Sequence, residues 1–212
     1  EVIPAGIHWP GVQDIRSIPS GYISAACIYG TILSAQFTLV QKAGQLRTIT
    51  ASIPWKKSKS EKSAGGVALD YQLEKLNIKL TNRMKEQFSN YYDLLIEWNQ
   101  KINLTAITEF DDVIDKHFLD SVALGHYLQL EKPWNVLDLG TGAGFPGIPL
   151  KIMFPQLKVL LADSLNKRVR FLEEVIRELK LQDIRAVHGR AEELAHQNIY
   201  RESFDLCVSR AV

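Results

Sequence analysis

Cysteine is scarce in this sequence, with Cys27 and Cys207 the only two among 212 residues. Two such distant cysteines form neither a metal-ligand spacing nor a disulfide framework, which excludes the small disulfide-stabilised and zinc-stabilised classes. Cys207 lies in the apolar run Phe204 to Ser209, where a reduced, packed thiol is the expected state. The cysteine content therefore favours a reducing cytoplasm and predicts no metal site.

An excess of charge of one sign is also missing, because the formal net charge is only +1. The balance hides an asymmetry: residues 1–66 hold seven Lys and Arg against three acids, and residues 67–212 hold eighteen against twenty-one. A nearly neutral chain gives no global sign of nucleic-acid binding, so any contact with RNA has to come from a local basic patch.

The first 66 residues have few features that predict a packed domain. Residues 56–66 are charged, small and without apolar anchors, so we expect a solvated, mobile linker. Residues 17–41 carry no charge and are long enough in principle to cross a bilayer, but interspersed polar residues weaken that interpretation. The delayed apolar run also differs from a signal peptide. We expect residues 1–55 to be poorly ordered, with no membrane association, and assign them no function.

Residues 67–130 are predicted to form a helical region. Apolar residues recur at steps of four and three from Met84 to Ile102, and Thr81 is placed to cap that helix. A second helix is predicted from Asp111 to Leu128, preceded by a possible capping box from Thr108 to Asp111.

Residues 131–212 alternate between strand and helix patterns, which predicts an α/β fold with a parallel sheet. The predicted strands cover residues 135–139, 158–163, 184–188 and 204–209, and the predicted helices cover residues 147–154 and 165–181. Ser164 is placed to cap the second helix.

The glycine-rich turn after the first of these strands predicts a nucleotide-like ligand. Asp138 ends an apolar strand that runs into GTGAGFPG, in which Gly140 and Gly142 let the backbone approach a ligand closely. Asp163 ends the next strand about twenty residues later, the spacing of a ribose-binding carboxylate. Asp138 is a candidate to hold a cofactor amino group, to orient the turn, or to do both.

The glycines alone leave nicotinamide and S-adenosylmethionine open as cofactors. A dinucleotide needs its pyrophosphate against a helix N-terminus, so its glycines crowd the turn. Here Phe145 and Pro146 lengthen the turn, which favours S-adenosylmethionine.

Six blocks in order strengthen that interpretation: WNQKINLTAI, HFLDS, LDLGTGAGFPGIPL, DSLNKRVRFL, GRAEEL and FDLCVSRA. Together they make residues 69–212 resemble the RsmG (GidB) family of bacterial small-subunit rRNA methyltransferases. The resemblance implies transfer of a methyl group from S-adenosylmethionine to N7 of a guanosine in the decoding-region loop of 16S rRNA. Partners would be 16S rRNA or the small ribosomal subunit, in the cytoplasm, with neither a metal nor a membrane.

The resemblance also implies the fold and the cofactor contacts. The fold would be a Rossmann-like class I methyltransferase sheet with strand order 3-2-1-4, truncated because the family's sheet continues for three more strands, so that one sheet edge is exposed. The implied cofactor contacts are Gly140, Phe145, Ala191, Glu192 and Arg210. No catalytic residue is assigned, because guanine N7 carries a free lone pair and needs no general base.

The tentative RNA contacts are less specific. Lys167, Arg168 and Arg170 could pair with phosphates, although an ordinary solvated helix face explains the same charges and only the resemblance shifts the balance. His117 shares a helix face with Asp120, and a structural histidine is at least as good an explanation as contact with RNA.

Two alternative functions remain at this stage. One is a truncated chain that binds the cofactor or rRNA without catalysis, which the short sheet suggests. The other is an NAD-dependent oxidoreductase, which shares the glycine turn and Asp163 but leaves the sequence GFPG and the preceding helical blocks unexplained.

Overall fold

The computed structural model describes three strands in the first part of the chain and then residues 79–127, 130 and 132–210. The strands are β1 (Ile23–Thr31), β2 (Ser34–Gln41) and β3 (Leu46–Ala51), which pair antiparallel in that order. These strands differ from the poorly ordered segment that we expected there. Polar and apolar residues alternate from Ser34 to Leu39, which is a pattern typical of a strand. The predicted linker at residues 56–66 lies outside the described residues. No helix in the described ranges is both long and apolar enough to cross a bilayer.

Helix α1 (Asn82–Ile102) begins where the sequence predicts it. The Thr81 side chain accepts a hydrogen bond from the Met84 backbone N–H at 3.2 Å, so the predicted N-cap is confirmed. The helix ends at Asn103 in a left-handed conformation, with a φ of 48°. Asn99 Oδ1 accepts from the Leu104 N–H at 2.6 Å, so this side chain braces the helix end.

The second helical stretch changes its winding part-way along. It consists of α2 (Phe110–Val113), a π-helical segment (Ile114–Leu119) and α3 (Asp120–Tyr127). The predicted capping box is wrong, because Glu109 is the N-cap and makes no side-chain capping bond. The wider π segment buries His117 and Phe118.

Four parallel strands form the second sheet: β4 (Asn135–Leu139), β5 (Lys158–Asp163), β6 (Ile184–His188) and β7 (Leu206–Val208). Their spatial order is β6-β5-β4-β7, which confirms the predicted order 3-2-1-4 and the α/β class. Strand β7 therefore forms one edge. The helices between the strands are α4 (Gly147–Met153), α5 (Asn166–Glu178) and α6 (Ala191–Ala195). The predicted Ser164 cap is wrong, because Leu165 is the N-cap of α5.

The helical region and the sheet share one hydrophobic core. Trp98 on α1 packs against Phe171 on α5 with ring centroids 5.7 Å apart. Gln87 Nε2 on α1 donates to the Leu179 carbonyl at 2.9 Å. Residues 79–127 and 132–210 are thus joined by buried contacts, although the sequence suggested a boundary near residue 130.

Candidate functional site

The glycine turn after β4 has a left-handed backbone at Gly140, Gly142 and Gly144, with φ values of 66°, 61° and 97°. A Cβ added at Gly142 would meet no atom within 4 Å, so open space lies over this residue. A Cβ at Gly144 would lie 2.4 Å from Ile148 Cδ1 and 2.7 Å from the Tyr91 hydroxyl. Gly144 is therefore needed for packing, while Gly142 faces space that a ligand can fill.

Asp138 is buried at the base of this turn. Its Oδ2 accepts hydrogen bonds from the Thr141 hydroxyl at 2.6 Å and from the Gly147 N–H at 2.8 Å. Its Oδ1 is buried and has no hydrogen-bond partner among the residues that the structure describes. Burial raises the pKa of the Asp138 carboxyl to about 6, against the opposing effects of these two donors and of Arg210. The free oxygen is an acceptor that suits a charged donor.

Asp163, at the end of β5, holds the turn from the other side. Its Oδ2 accepts from the Gly142 N–H at 2.9 Å, and its Oδ1 accepts from the Leu165 N–H at 2.8 Å. Arg168 Nη1 lies 3.4 Å from the same Oδ2. The carboxylate thus fixes the open part of the turn, and Arg168 faces Asp163 rather than standing free for phosphate. Its role as a ribose acceptor stays a prediction.

Arg210 follows β7 and reaches back to the helical region. Its Nη1 donates to the Lys116 carbonyl at 3.1 Å and to Asp120 Oδ2 at 3.2 Å, and its Nη2 lies 3.0 Å from His117 Nδ1. The guanidinium also lies over the Phe145 ring, 4.9 Å from its centroid. These contacts fix the cation beside the glycine turn.

Phe145 and His117 lie inside the protein. The two rings stack with centroids 4.5 Å apart, and Phe145 also packs against Tyr91 and Phe118. Burial, and then the charge of Arg210, lower the pKa of His117 to about 4, so the ring is neutral near pH 7. His117 is 8% exposed. This environment suits the alternative of a structural histidine, and the tentative contact of His117 with RNA stays a prediction.

Ala191 and Glu192 open α6 just after β6, and both are exposed. The Gly189 N–H donates to the Asp163 carbonyl at 3.1 Å, which ties the exit of β6 to the end of β5. The two predicted contacts therefore lie at the same carboxyl-terminal end of the sheet as Asp163, and both are exposed to solvent.

The basic residues of α5 divide into two groups. Lys167 and Arg170 have exposed side chains. Arg177, one face further along, is paired with Glu174 at 2.5 Å and with Glu178 at 3.2 Å. Within the described part of the chain, no three His, Cys, Asp and Glu side chains group as possible metal ligands.

A family model described as rRNA small subunit methyltransferase G (GidB) matches residues 84–212, which is more than half of the chain. The chain belongs to this family. A relative from Lachnoclostridium phytofermentans, named ribosomal RNA small subunit methyltransferase G, is 59% identical over 140 residues, covering 66% of this chain and 58% of the relative. One of the same name from Staphylococcus aureus is 54% identical over 141 residues, covering 66% and 59%. The chain thus spans just under three fifths of the length of these relatives.

A solved protein-L-isoaspartate O-methyltransferase shares 11% identity, with a TM-score of 0.44 over 68% of this chain and 47% of that chain. In this member of the small-subunit rRNA methyltransferase G family, the fold assignment rests on the strand order itself.

Several residues of the site were not singled out from the sequence. Tyr91 donates its hydroxyl proton to the Ala143 carbonyl at 2.5 Å and so ties α1 to the turn. Thr141 and Thr105 hold Asp138 and His117, and Leu165 is a large apolar side chain left 42% exposed beside Asp163. An apolar residue two positions after a strand-ending acid is a detectable signal, whereas the tyrosine and threonine contacts depend on tertiary structure.

Proposed function

We propose that this chain is part of an enzyme that binds S-adenosylmethionine and transfers its methyl group to N7 of a guanosine in the 16S rRNA of the small ribosomal subunit. Family membership supports the rRNA target. The single observation that carries cofactor binding is the buried, unpartnered Oδ1 of Asp138 at the base of the glycine turn.

The charges at the turn suit the amino-acid end of that cofactor, which carries an ammonium and a carboxylate. Asp138 Oδ1 offers an acceptor for the ammonium, and Arg210 offers a fixed cation for the carboxylate. The two groups are close enough for Arg210 to lower the pKa of Asp138 by its charge. A zwitterion between them would be matched at both ends.

The adenosine end suits the open side of the turn. Gly142 has free space above it, and Asp163, Leu165 and Glu192 lie where β5 and β6 end. Leu165 offers an apolar surface for a planar base, while the carboxylates of Asp163 and Glu192 can accept hydrogen bonds from hydroxyl or amino groups. An apolar surface beside two carboxylates fits an uncharged nucleoside better than the phosphate-bearing half of a dinucleotide.

The bound cofactor would supply an electrophilic methyl group on a sulfonium centre. Guanine N7 has a lone pair at neutral pH, so the transfer needs no proton removal and the chain's residues would act by orientation and exclusion of water. Asp138 and Arg210 would fix the cofactor, and the buried aromatic wall at Phe145 would keep water from one side of the turn. No acid or base is assigned.

The exposed Lys167 and Arg170 on α5 are the proposed contacts to rRNA phosphates. Arg168 and His117, also predicted as RNA contacts, support the proposal less because each is engaged within the protein. A cytoplasmic location is part of the same proposal, since its substrate is ribosomal.

The test is methyl transfer from labelled S-adenosylmethionine to small subunits isolated without the modification, with label mapped to single nucleotides. Label on guanine N7 in the 16S decoding-region loop is expected, and label elsewhere or none with a correctly folded protein would reject the target. Calorimetric titration with S-adenosylhomocysteine and with NAD separates the cofactor classes. Binding of NAD alone would overturn the cofactor proposal.

A further inference from the structure

The guanidinium of Arg210 is held by three acceptors that all belong to the helical region. The Lys116 carbonyl, Asp120 Oδ2 and His117 Nδ1 lie 3.1, 3.2 and 3.0 Å from its nitrogens. The Phe145 ring lies beneath it. An exposed arginine loses side-chain entropy on binding a ligand, and here that freedom is already restricted in the free protein.

The hydrogen bonds also determine which nitrogen of His117 carries the proton. Arginine can only donate, so Nδ1 must be the unprotonated acceptor and Nε2 must carry the hydrogen. Nε2 lies 3.0 Å from the Thr105 hydroxyl oxygen, which can accept a hydrogen bond from its N–H and also accepts one from the Ile107 N–H at 3.1 Å. Arg210 therefore determines the tautomer, and Thr105 stabilises it by accepting from Nε2.

A protonated His117 would be incompatible with this arrangement, because it would present an N–H and a positive charge to the guanidinium. Burial and the charge of Arg210 lower the pKa of His117, in agreement with a neutral ring. Asp120, half-buried beside it, supplies the single negative charge that balances Arg210 among these contacts.

We infer that His117, oriented by Thr105 and assisted by Asp120, is a positioning residue that presents Arg210 to the carboxylate of the cofactor's amino-acid end. The inference rests on the proposed function and deepens it, since it gives a role to a buried histidine that contacts Arg210 directly. His117 itself touches no substrate.

The test uses two ligands that differ only at that end: S-adenosylhomocysteine, and methylthioadenosine, which lacks both the carboxylate and the ammonium. His117→Phe keeps a ring to stack on Phe145 but removes the acceptor for Arg210. We expect its Kd for S-adenosylhomocysteine to rise about tenfold, the loss of one charge-assisted hydrogen bond, while its Kd for methylthioadenosine stays unchanged. His117→Asn, which places an oxygen near the position of Nδ1, should restore most of the affinity. His196→Phe, at an exposed histidine, is the matched control.

An equal loss of affinity for both ligands would show a general structural defect, and no loss for either would show that Arg210 needs no positioning. Both results would overturn the inference. If the unaltered chain binds methylthioadenosine and S-adenosylhomocysteine equally well, Arg210 does not bind the carboxylate, and the inference fails while the adenosine site stands. If it binds neither, the proposed function fails first.

A second measurement keeps the inference testable if His117→Phe does not fold. Nitrogen-15 NMR of the histidine rings in the unaltered chain should show His117 as the tautomer protonated at Nε2. Thr105→Val, which preserves shape, should reduce the population of that tautomer and raise the Kd for S-adenosylhomocysteine severalfold. A protonated Nδ1 in the unaltered chain would overturn the inference directly.

Discussion

At the scale of single residues, the candidate site contains one buried carboxylate whose hydrogen bonding is incomplete. Asp138 has two donors on Oδ2 and none on Oδ1 among the described residues, so burial of its ionised form is only partly compensated. Natural binding sites commonly contain such groups, which cost stability in the free protein and gain a partner in the complex.

Asp138→Asn should therefore stabilise the free chain and weaken ligand binding. The pKa of Asp138 is raised to about 6, so the folded state holds a proton between about pH 4 and 6 that the unfolded state has lost. The free energy of unfolding then falls as pH rises through this window. Above pH 6 the variant should be more stable by about 1–3 kcal/mol, at about 1.4 kcal/mol per pKa unit. Urea unfolding at pH 4.5 and 7.5 measures the difference, which should be clearly smaller at the lower pH, where the folded-state carboxyl is still protonated.

Cofactor affinity should depend on pH for the same reason. A ligand ammonium at Oδ1 favours ionised Asp138, so binding below pH 6 must release a proton. The association constant of S-adenosylhomocysteine should fall up to about tenfold per pH unit below pH 6 and level off above it. Calorimetry in buffers of different ionisation enthalpy counts the protons. A flat profile from pH 5 to 7 would contradict the proposed ammonium contact.

At the scale of elements, the glycine turn combines a packing position with an open one. Gly144 is pressed against α1 and α4 through Tyr91 and Ile148, whereas Gly142 faces free space and donates its N–H to Asp163. The two positions share a left-handed backbone, so their difference lies in what surrounds them.

Alanine at these two positions should therefore have separate effects. Gly142→Ala should cost about 1–2 kcal/mol of stability from backbone strain and place a methyl group where the ligand belongs. Gly144→Ala adds a clash with buried atoms and should cost clearly more, about 2–4 kcal/mol. Thermal unfolding and titration with methylthioadenosine distinguish the two variants. Gly142→Ala should weaken methylthioadenosine binding strongly and lower the free energy of unfolding only modestly. Equal destabilisation by both would contradict the open space at Gly142.

Helix α5 offers a matched test of RNA binding. Replacing Lys167 and Arg170 with alanine should weaken binding to small-subunit rRNA and reduce the slope of log K against log salt by about one to two, because each contact neutralises one phosphate. Arg177→Ala is the control, since Glu174 and Glu178 already pair with that cation. Filter binding over a salt series gives both quantities, and an equal effect of Arg177→Ala would place the RNA elsewhere.

At the scale of the whole molecule, residues 79–127 and 132–210 form one structural unit. The core is continuous, Tyr91 holds the glycine turn, and Arg210 returns from β7 to the π-helical segment. The proposed ligand site thus lies where the two parts meet, and its geometry requires residues from both.

Helix α1 and strand β5 should consequently lose hydrogen-exchange protection together. Backbone amides in the two elements should become exchangeable at the same urea concentration, because neither part buries its apolar face alone. Mass spectrometry of exchanged fragments measures this. Earlier exchange in α1 would show that the helical region unfolds independently.

The sequence predicts most of the fold because its signals are local. The Thr81 cap, the apolar stripe of α1 and the four strands depend on neighbours within a few residues. The capping box predicted at Thr108 is wrong because the N-cap of that helix is Glu109. The site was predicted less completely: the glycine turn and Asp138 follow from spacing, but the partners His117 and Arg210 are 93 residues apart, and no local pattern joins them.

The free Oδ1 of Asp138 also has a consequence for inhibitors. A neutral nucleoside analogue could fill the space above Gly142 and rest on Leu165, yet it would leave the buried Asp138 Oδ1 without a donor. Compounds that carry an amine or amidine at that point should gain selectivity over uncharged ones, and the gain should be lost in acidic medium, where the carboxyl is already protonated.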